Sequence, residues 1–192
     1  MKNLLLVTLA LCAQSASAKW IAVPTTAPVA VAQSKLTVTA PAGWNRWSKR
    51  PVKQGELWSF DGPILNQLAF HGAIAPGQPL AKERNKKREP LPKFGAGMRA
   101  TDIAEAYEQT ARVTQGATDF VIDAIEPAVF AGNDGFRFAF HYTAGELTRR
   151  GEARGAIIGG RLYLITYAAP ALHYFDAHLS KAQAIMDSAK LN

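Results

Sequence analysis

An aromatic residue stands at every second position from Phe136 to Tyr142 (Phe136, Phe138, Phe140, Tyr142), with Arg137, Ala139 and His141 between them. A period of two puts all four rings on one side of a β-strand, because successive side chains of a strand point to opposite faces. Turn signals bracket this run. Asn133-Asp134-Gly135 precedes it, Ala144-Gly145 follows it, and Gly159-Gly160 comes next; Gly and Asn adopt the positive φ that tight hairpin turns require. Phe120 to Phe130, broken or bulged at Pro127, the aromatic run, Leu147 to Ile158 and Arg161 to Ala168 therefore read as an antiparallel meander.

The turns also predict register. With Ala144 and Gly145 as the loop, Phe136 faces Ala153, Phe138 faces Gly151 and Tyr142 faces Leu147, while Arg137 faces Glu152 on the other side. A ring opposite Gly or Ala covers the gap that the small residue leaves. Around Gly159-Gly160, Leu162 falls opposite Ile157 and Leu164 opposite Gly155, again on the aromatic side. A one-residue slip would turn the rings outward. The other face carries Tyr163, Ile165 and Tyr167 beside Arg150, Arg154 and His141, a half-apolar surface expected to lie at least partly under a helix.

Two helices are predicted. Asp102 opens the first, with Glu105 three residues on as a capping-box pattern. Ile103, Ala106, Tyr107 and Thr110 form its inward face, and it ends before Gly116. The second starts near Asp176 as N-cap and carries Leu179, Ala182, Met186 and Ala189 on one stripe, with Ile185 beside it. The aromatic run is expected to form the interior beneath this C-terminal helix. Upstream, Lys35 to Ala40, Glu56 to Phe60 and Leu65 to Ile74 read as strands, residues 19–34 as an extended lead or edge strand, and residues 75–98 as a long loop. The expected fold class is α+β, an antiparallel sheet of about six to seven strands with helices packed on it. At 192 residues, with 48% hydrophobic and 19% charged content, residues 35–192 are expected to form a single domain.

The order of elements resembles the PsbP-like superfamily of small exported or lumenal α+β proteins. So do Pro41-Ala-Gly-Trp44, the Gly160-Arg-Leu-Tyr-Leu-Ile-Thr-Tyr167 strand and the closing Ile185-Met-Asp-Ser188 helix. The resemblance covers most of residues 35–192. It implies an α/β/α sandwich and an accessory or assembly role. The superfamily has no common catalytic motif, so it transfers no site residue.

Residues 1–18 have a basic start at Lys2, an apolar run from Leu4 to Ala13, and Ala16-Ser17-Ala18 at the close. This is the pattern of a secretory signal peptide cut before Lys19. The run is about half the roughly 20 residues a membrane-spanning helix needs, so no transmembrane helix is expected. Cys12 is the single cysteine. Acylation there would make an envelope lipoprotein, but Leu11 precedes it where that processing favours a small residue, and cleavage after Ala18 removes it.

Lys and Arg number 22 against 15 Asp and Glu, a formal charge of +7. Two segments concentrate the excess. Residues 82–93 hold six basic and two acidic residues, and residues 44–53 hold Arg46, Lys49, Arg50 and Lys53 with no acid. Such patches attract anions. In an exported protein these are acidic proteins, phospholipid head groups or envelope phosphates, with peripheral membrane contact open and nucleic acid disfavoured by compartment. Trp44 and Trp47 beside Arg46 suit either a membrane interface or a closed core end.

His71, His141, His173 and His178 lack the helical i, i+4 spacing of a zinc site. There is no Gly-x-Ser-x-Gly elbow, and neither metal nor cofactor is expected. The leading expectation is a non-catalytic exported envelope module that binds a protein or anionic ligand. Its candidate residues are Lys82, Arg84, Lys86, Lys87 and Arg88. The alternatives are a small-ligand or hydrolytic site on the sheet face around Arg150, Arg154, Tyr163 and Tyr167, and a lipoprotein anchored through Cys12.

Overall fold

The computed structural model describes residues 18–192; the expected signal peptide up to residue 17, with Cys12, lies outside the described residues. In chain order the elements are β1 (Trp20–Ala22), β2 (Val29–Ala30), β3 (Leu36–Val38), β4 (Asn45–Trp47), β5 (Gly55–Ser59), β6 (Gln67–Ile74), α1 (Ala100–Gln115), β7 (Ala117–Phe130), β8 (Asn133–Ala144), β9 (Leu147–Ile158), β10 (Arg161–Pro170), α2 (Tyr174–Asp187) and β11 (Lys190–Leu191). An eight-stranded antiparallel sheet runs β1-β4-β5-β6-β10-β9-β8-β7, and a small sheet runs β11-β3-β2.

The main sheet thus exceeds the six to seven strands expected. β1 and β4 are three residues each, too short to show an alternating pattern. The Lys35–Ala40 strand is not part of this sheet at all. It pairs with β2 and with the C-terminal β11, fastening the lead to the chain's end.

The rings do share one face, with two corrections of register. The β8–β9 loop is Gly145-Glu146, so Phe136 pairs with Gly155, Phe138 with Ala153, Phe140 with Gly151 and Tyr142 with Arg149. Moving the loop by one residue shifts the pairing by two, which preserves the face. It also puts Arg137 opposite Arg154 instead of Glu152, and Arg137 takes Glu126 of β7 as its partner at 2.8 Å. The β7–β8 turn falls on Ala131-Gly132, both at positive φ, ahead of the Asn-Asp-Gly signal. Gly135 is needed inside the strand, where a Cβ would strike the Gly155 carbonyl. Pairing around Gly159-Gly160 matches the expectation, Leu162 with Ile157 and Leu164 with Gly155. In β7 the irregularities lie between Thr118 and Ala124; Pro127 pairs with Phe136, on an edge strand where a missing N–H is tolerated.

Each face has its own helix, which makes the three layers. α1 starts at Ala100, two residues before Asp102, and Asp102 caps it by accepting the Arg99 backbone N–H at 2.8 Å. Its Ile103, Tyr107 and Ala111 pack on Phe136, Phe138, Phe140, Tyr142, Leu162 and Leu164. The aromatic run therefore lies beneath α1, not beneath the C-terminal helix. α2 covers the opposite face, where Phe175, Ala182, Ile185 and Met186 meet Trp58, Leu68, Phe70, Tyr163, Ile165 and Tyr167. Its N-cap is His173; Asp176 stands in the first turn.

Candidate functional site

Arg150, Arg154, Tyr163 and Tyr167 all lie on the face covered by α2. Tyr163 and Tyr167 are buried there, and the Tyr167 hydroxyl donates to the Tyr174 carbonyl at 3.1 Å. Burial pushes the Tyr167 phenol above its ordinary range, and the nearby Asp61 and Asp176 charges push it further. Arg154 reaches Glu152 at 2.7 Å and Asp187 of α2, and Gln183 of α2 donates to the same Glu152 at 2.8 Å. Arg150 reaches Asp176 at 3.3 Å and lies over the Phe175 ring. These side chains bind the chain's own helix instead of facing a cleft.

Lys82, Arg84, Lys86, Lys87 and Arg88 are all exposed. Their loop is nevertheless built. It closes through a Pro79–Lys93 bridge, and Leu80, Leu91 and Phe94 are buried at its base. The Leu91 N–H donates to the Glu83 carboxylate at 3.3 Å. Among the described residues none of the five cations is ion-paired, whereas Arg137, Arg150 and Arg154 on the α2 side all are.

The loop borders a cleft of about 160 Å³ beneath α1. The cleft exists because the two halves of this face are filled unequally. Over β8, large rings support α1; over β5 and β6 the sheet offers Leu57, Ala69 and His71, and α1 answers with Thr110, Ala111 and Thr114. Small side chains leave the wedge open. Pro51 lies on its rim within the first basic segment, and Leu80 and Ala81 lead directly into Lys82. The structure thus brings the two basic segments, remote in sequence, to one opening.

At one end of the cleft is a hydroxyl network. The Tyr142 hydroxyl donates to the Gln115 side-chain carbonyl at 2.8 Å. Burial and the neighbouring Tyr142 raise the Tyr107 phenol, against hydrogen bonds to Thr166 and Gln115 and the charge of Arg149. Both phenols remain neutral. Arg149 is itself buried, with both terminal nitrogens donating to the Ile64 carbonyl at 3.0 and 2.8 Å and no carboxylate partner among the described residues. A buried guanidinium with only a carbonyl to meet is under-compensated.

His71 stands on the cleft wall with its Nδ1 sealed from solvent and lacking any hydrogen-bond partner. Desolvation lowers its pKa to about 4, partly opposed by a hydrogen bond to the Leu80 backbone. At neutral pH the imidazole is uncharged. Glu56, also on the wall, is fully engaged: it accepts from the Trp58 indole at 2.7 Å and from the Ala32 N–H at 3.0 Å. An apolar wall with a few converging polar groups is the usual form of a small-molecule site.

The sequence pattern considered His71 only as one of four possible metal ligands and singled out none of Glu56, Tyr107, Gln115, Thr166 and Arg149. One signal was present in β6, where Leu68 and Phe70 alternate with Ala69 and His71. A strand face of small residues around one imidazole cannot fill the space under a helix.

The other histidines are occupied separately. His178 meets Asp61 at 2.6 Å and stacks on Phe60, His141 meets Asp123 at 2.8 Å, and His173 packs on Tyr174. Trp44 is buried in the core, while Trp47 is half-buried against Trp20, with ring centroids 4.9 Å apart. No helix among the described residues is long and apolar enough to cross a membrane.

No protein-family model matches the chain, and no curated protein matches its sequence. Among solved structures it is similar to cyanobacterial PsbP from Synechocystis sp. PCC 6803, with a TM-score of 0.50 and 13% identity over 85% of this chain and 95% of that one. The fold is PsbP-like. At that identity the likeness speaks to architecture alone. Looser similarities link the chain to the immunity protein TplEi of T6SS from Pseudomonas aeruginosa (TM-score 0.41, 11% identity, 88% of this chain and 51% of that one). LpqN of Mycobacterium tuberculosis, involved in cell envelope biogenesis, gives a TM-score of 0.38 and 11% identity over 91% of each chain.

Proposed function

We propose that this protein is an exported, non-catalytic binding module of the cell envelope that engages an anionic partner through its two basic segments. The observation that carries the reading is the contrast in charge pairing. The arginines on the α2 side are matched by acids of the same chain, while Lys82, Arg84, Lys86, Lys87 and Arg88 stand exposed and, among the described residues, unmatched on a loop fastened to the core. Like charges crowded on an anchored loop repel one another, so an anion that neutralises them gains both attraction and relief. The pattern of residues 1–18 supports export.

The experiment is capture from envelope extracts by the chain and by a variant lacking residues 82–93. Binding that is strong for the intact chain, weak for the variant and sensitive to salt is the expected result. Equal capture by both would remove the loop from the function.

A further inference from the structure

We propose that the corner formed by β1, β4 and the β4–β5 loop docks on an anionic phospholipid surface, with a lipid phosphate seated between Arg46 and Arg50 and the Trp20 and Trp47 indoles at the headgroup boundary. The proposal rests on the anion-binding reading above and names the partner of its first basic segment.

The chain fixes this corner in place. Trp20 and Trp47 pair across β1 and β4, which puts both indoles on one face with ring centroids 4.9 Å apart. Beyond Trp47 the Ser48 N–H donates to the Lys19 carbonyl, and the Lys19 N–H donates to the Ser48 hydroxyl, each at 2.9 Å. The Gln33 side-chain amide holds the loop that follows, lying 3.0 Å from an Arg50 guanidinium nitrogen and 3.1 Å from the Lys53 carbonyl. Here lies an open hollow of about 130 Å³, walled by Ile21, Arg46, Trp47, Ser48, Arg50 and Glu56.

The hollow suits a phosphate. Among the described residues neither Arg46 nor Arg50 has a carboxylate partner, and neither do Lys19, Lys49 and Lys53 in the same corner. Glu56 is the acid on the wall, and both its oxygens are committed, one to the Trp58 indole at 2.7 Å and the other to the Ala32 N–H at 3.0 Å. Guanidinium forks match phosphate oxygens, and the Ser48 hydroxyl keeps a proton to donate while it accepts from Lys19. The indoles decide between a lipid and a soluble anion. Trp44 and Trp58 are buried in the core, whereas Trp20 and Trp47 are half-buried at the outer end of the sheet, with Lys19 and Lys49 in the adjoining chain. A soluble phosphate makes no use of such a pair. An indole is best placed where one side is apolar and the other wet, and lysine stems lie along an apolar boundary with the ammonium in water. Each basic residue near an anionic leaflet adds attraction. A lipid surface satisfies all of these groups together.

The chain beginning at Lys19 contains every described strand and helix and lacks the apolar run of residues 4–13, so its vesicle binding reports the folded part. It is titrated with vesicles of phosphatidylcholine alone and of equimolar phosphatidylcholine and phosphatidylglycerol, with brominated acyl chains to quench tryptophan emission. Binding and quenching are expected with phosphatidylglycerol and not with phosphatidylcholine alone. Arg46→Gln with Arg50→Gln should weaken binding about twentyfold, two charges at roughly fivefold each. Trp20→Phe with Trp47→Phe should remove the quenching and leave the emission of Trp44 and Trp58, with an unchanged melting temperature showing that both double variants fold. Equal binding to the two vesicles, no quenching in the unsubstituted chain, or binding indifferent to loss of both arginines would each overturn the proposal. Inorganic phosphate, titrated calorimetrically, should bind far more weakly than vesicle lipid; equal affinity would assign the hollow to a soluble anion instead. A chain with residues 82, 84, 86, 87 and 88 neutralised should still be quenched. Quenching lost there but kept without Arg46 and Arg50 would move docking to the loop, overturning this proposal while the anion-binding reading stands.

Discussion

Phe140 lies directly over Gly151: the two pair across β8 and β9, and a Cβ on Gly151 would overlap the ring. The ring has nowhere to retreat, because Tyr107 and Phe120 hold it at centroid distances of 5.1 and 5.3 Å. Gly151→Ala should therefore destabilise the fold by about 1–3 kcal/mol, the usual range for overpacking. Urea unfolding of the variant checks this, and an unchanged midpoint would show that the ring can yield.

The two arginines that fasten α2 should differ in weight. Arg154 is 14% exposed and binds Glu152 and Asp187, whereas Arg150 is 50% exposed and binds an exposed Asp176. Removing Arg154 leaves Glu152 half-satisfied beneath α2. Arg154→Ala should cost about 1–3 kcal/mol, and Arg150→Ala no more than about 0.5 kcal/mol. Denaturant curves of the two variants give the comparison directly.

His71 should impose an acid limit on stability. Its folded pKa of about 4 lies below the ordinary 6.5, because burial disfavours the charged ring. The native state therefore binds fewer protons than the unfolded chain between these values. Stability is full above pH 6.5 and is lost as pH falls toward 4, by up to about 3 kcal/mol. Unfolding free energies measured across this window should slope for the native sequence and slope less for His71→Phe.

Periodicity made the meander, the two helices and the shared face of the rings legible, since Phe136 to Tyr142 can satisfy a period of two in only one way. Exact pairings were less legible. Asn133-Asp134-Gly135 has the chemistry of a turn, yet Ala131-Gly132 makes it, and Gly135 is spent on a close approach to Gly155. β4 gave no signal, because three residues cannot display a pattern, whereas β1 falls in the stretch read as an extended lead or edge strand and forms one edge of the main sheet. The cleft was least visible. It depends on what is missing between α1 and β6, and a void formed by Ala69, Ala111 and Thr114 has no motif. The charge concentrations were evident in sequence, but that Pro51 and Ala81 border one opening is a property of the fold alone.

The role proposed for the exposed cations is tested by the affinity of the full chain for a polyglutamate peptide across a salt series. Two variants are compared with it, one with Lys82, Arg84, Lys86, Lys87 and Arg88 changed to Gln, the other with Arg137 and Arg150 changed to Gln. Five exposed contacts worth a few tenths of a kcal/mol each predict about tenfold weaker binding and a flatter salt dependence for the first variant, and no change for the second. Equal affinities for all three proteins, or a loss confined to the second, would contradict it.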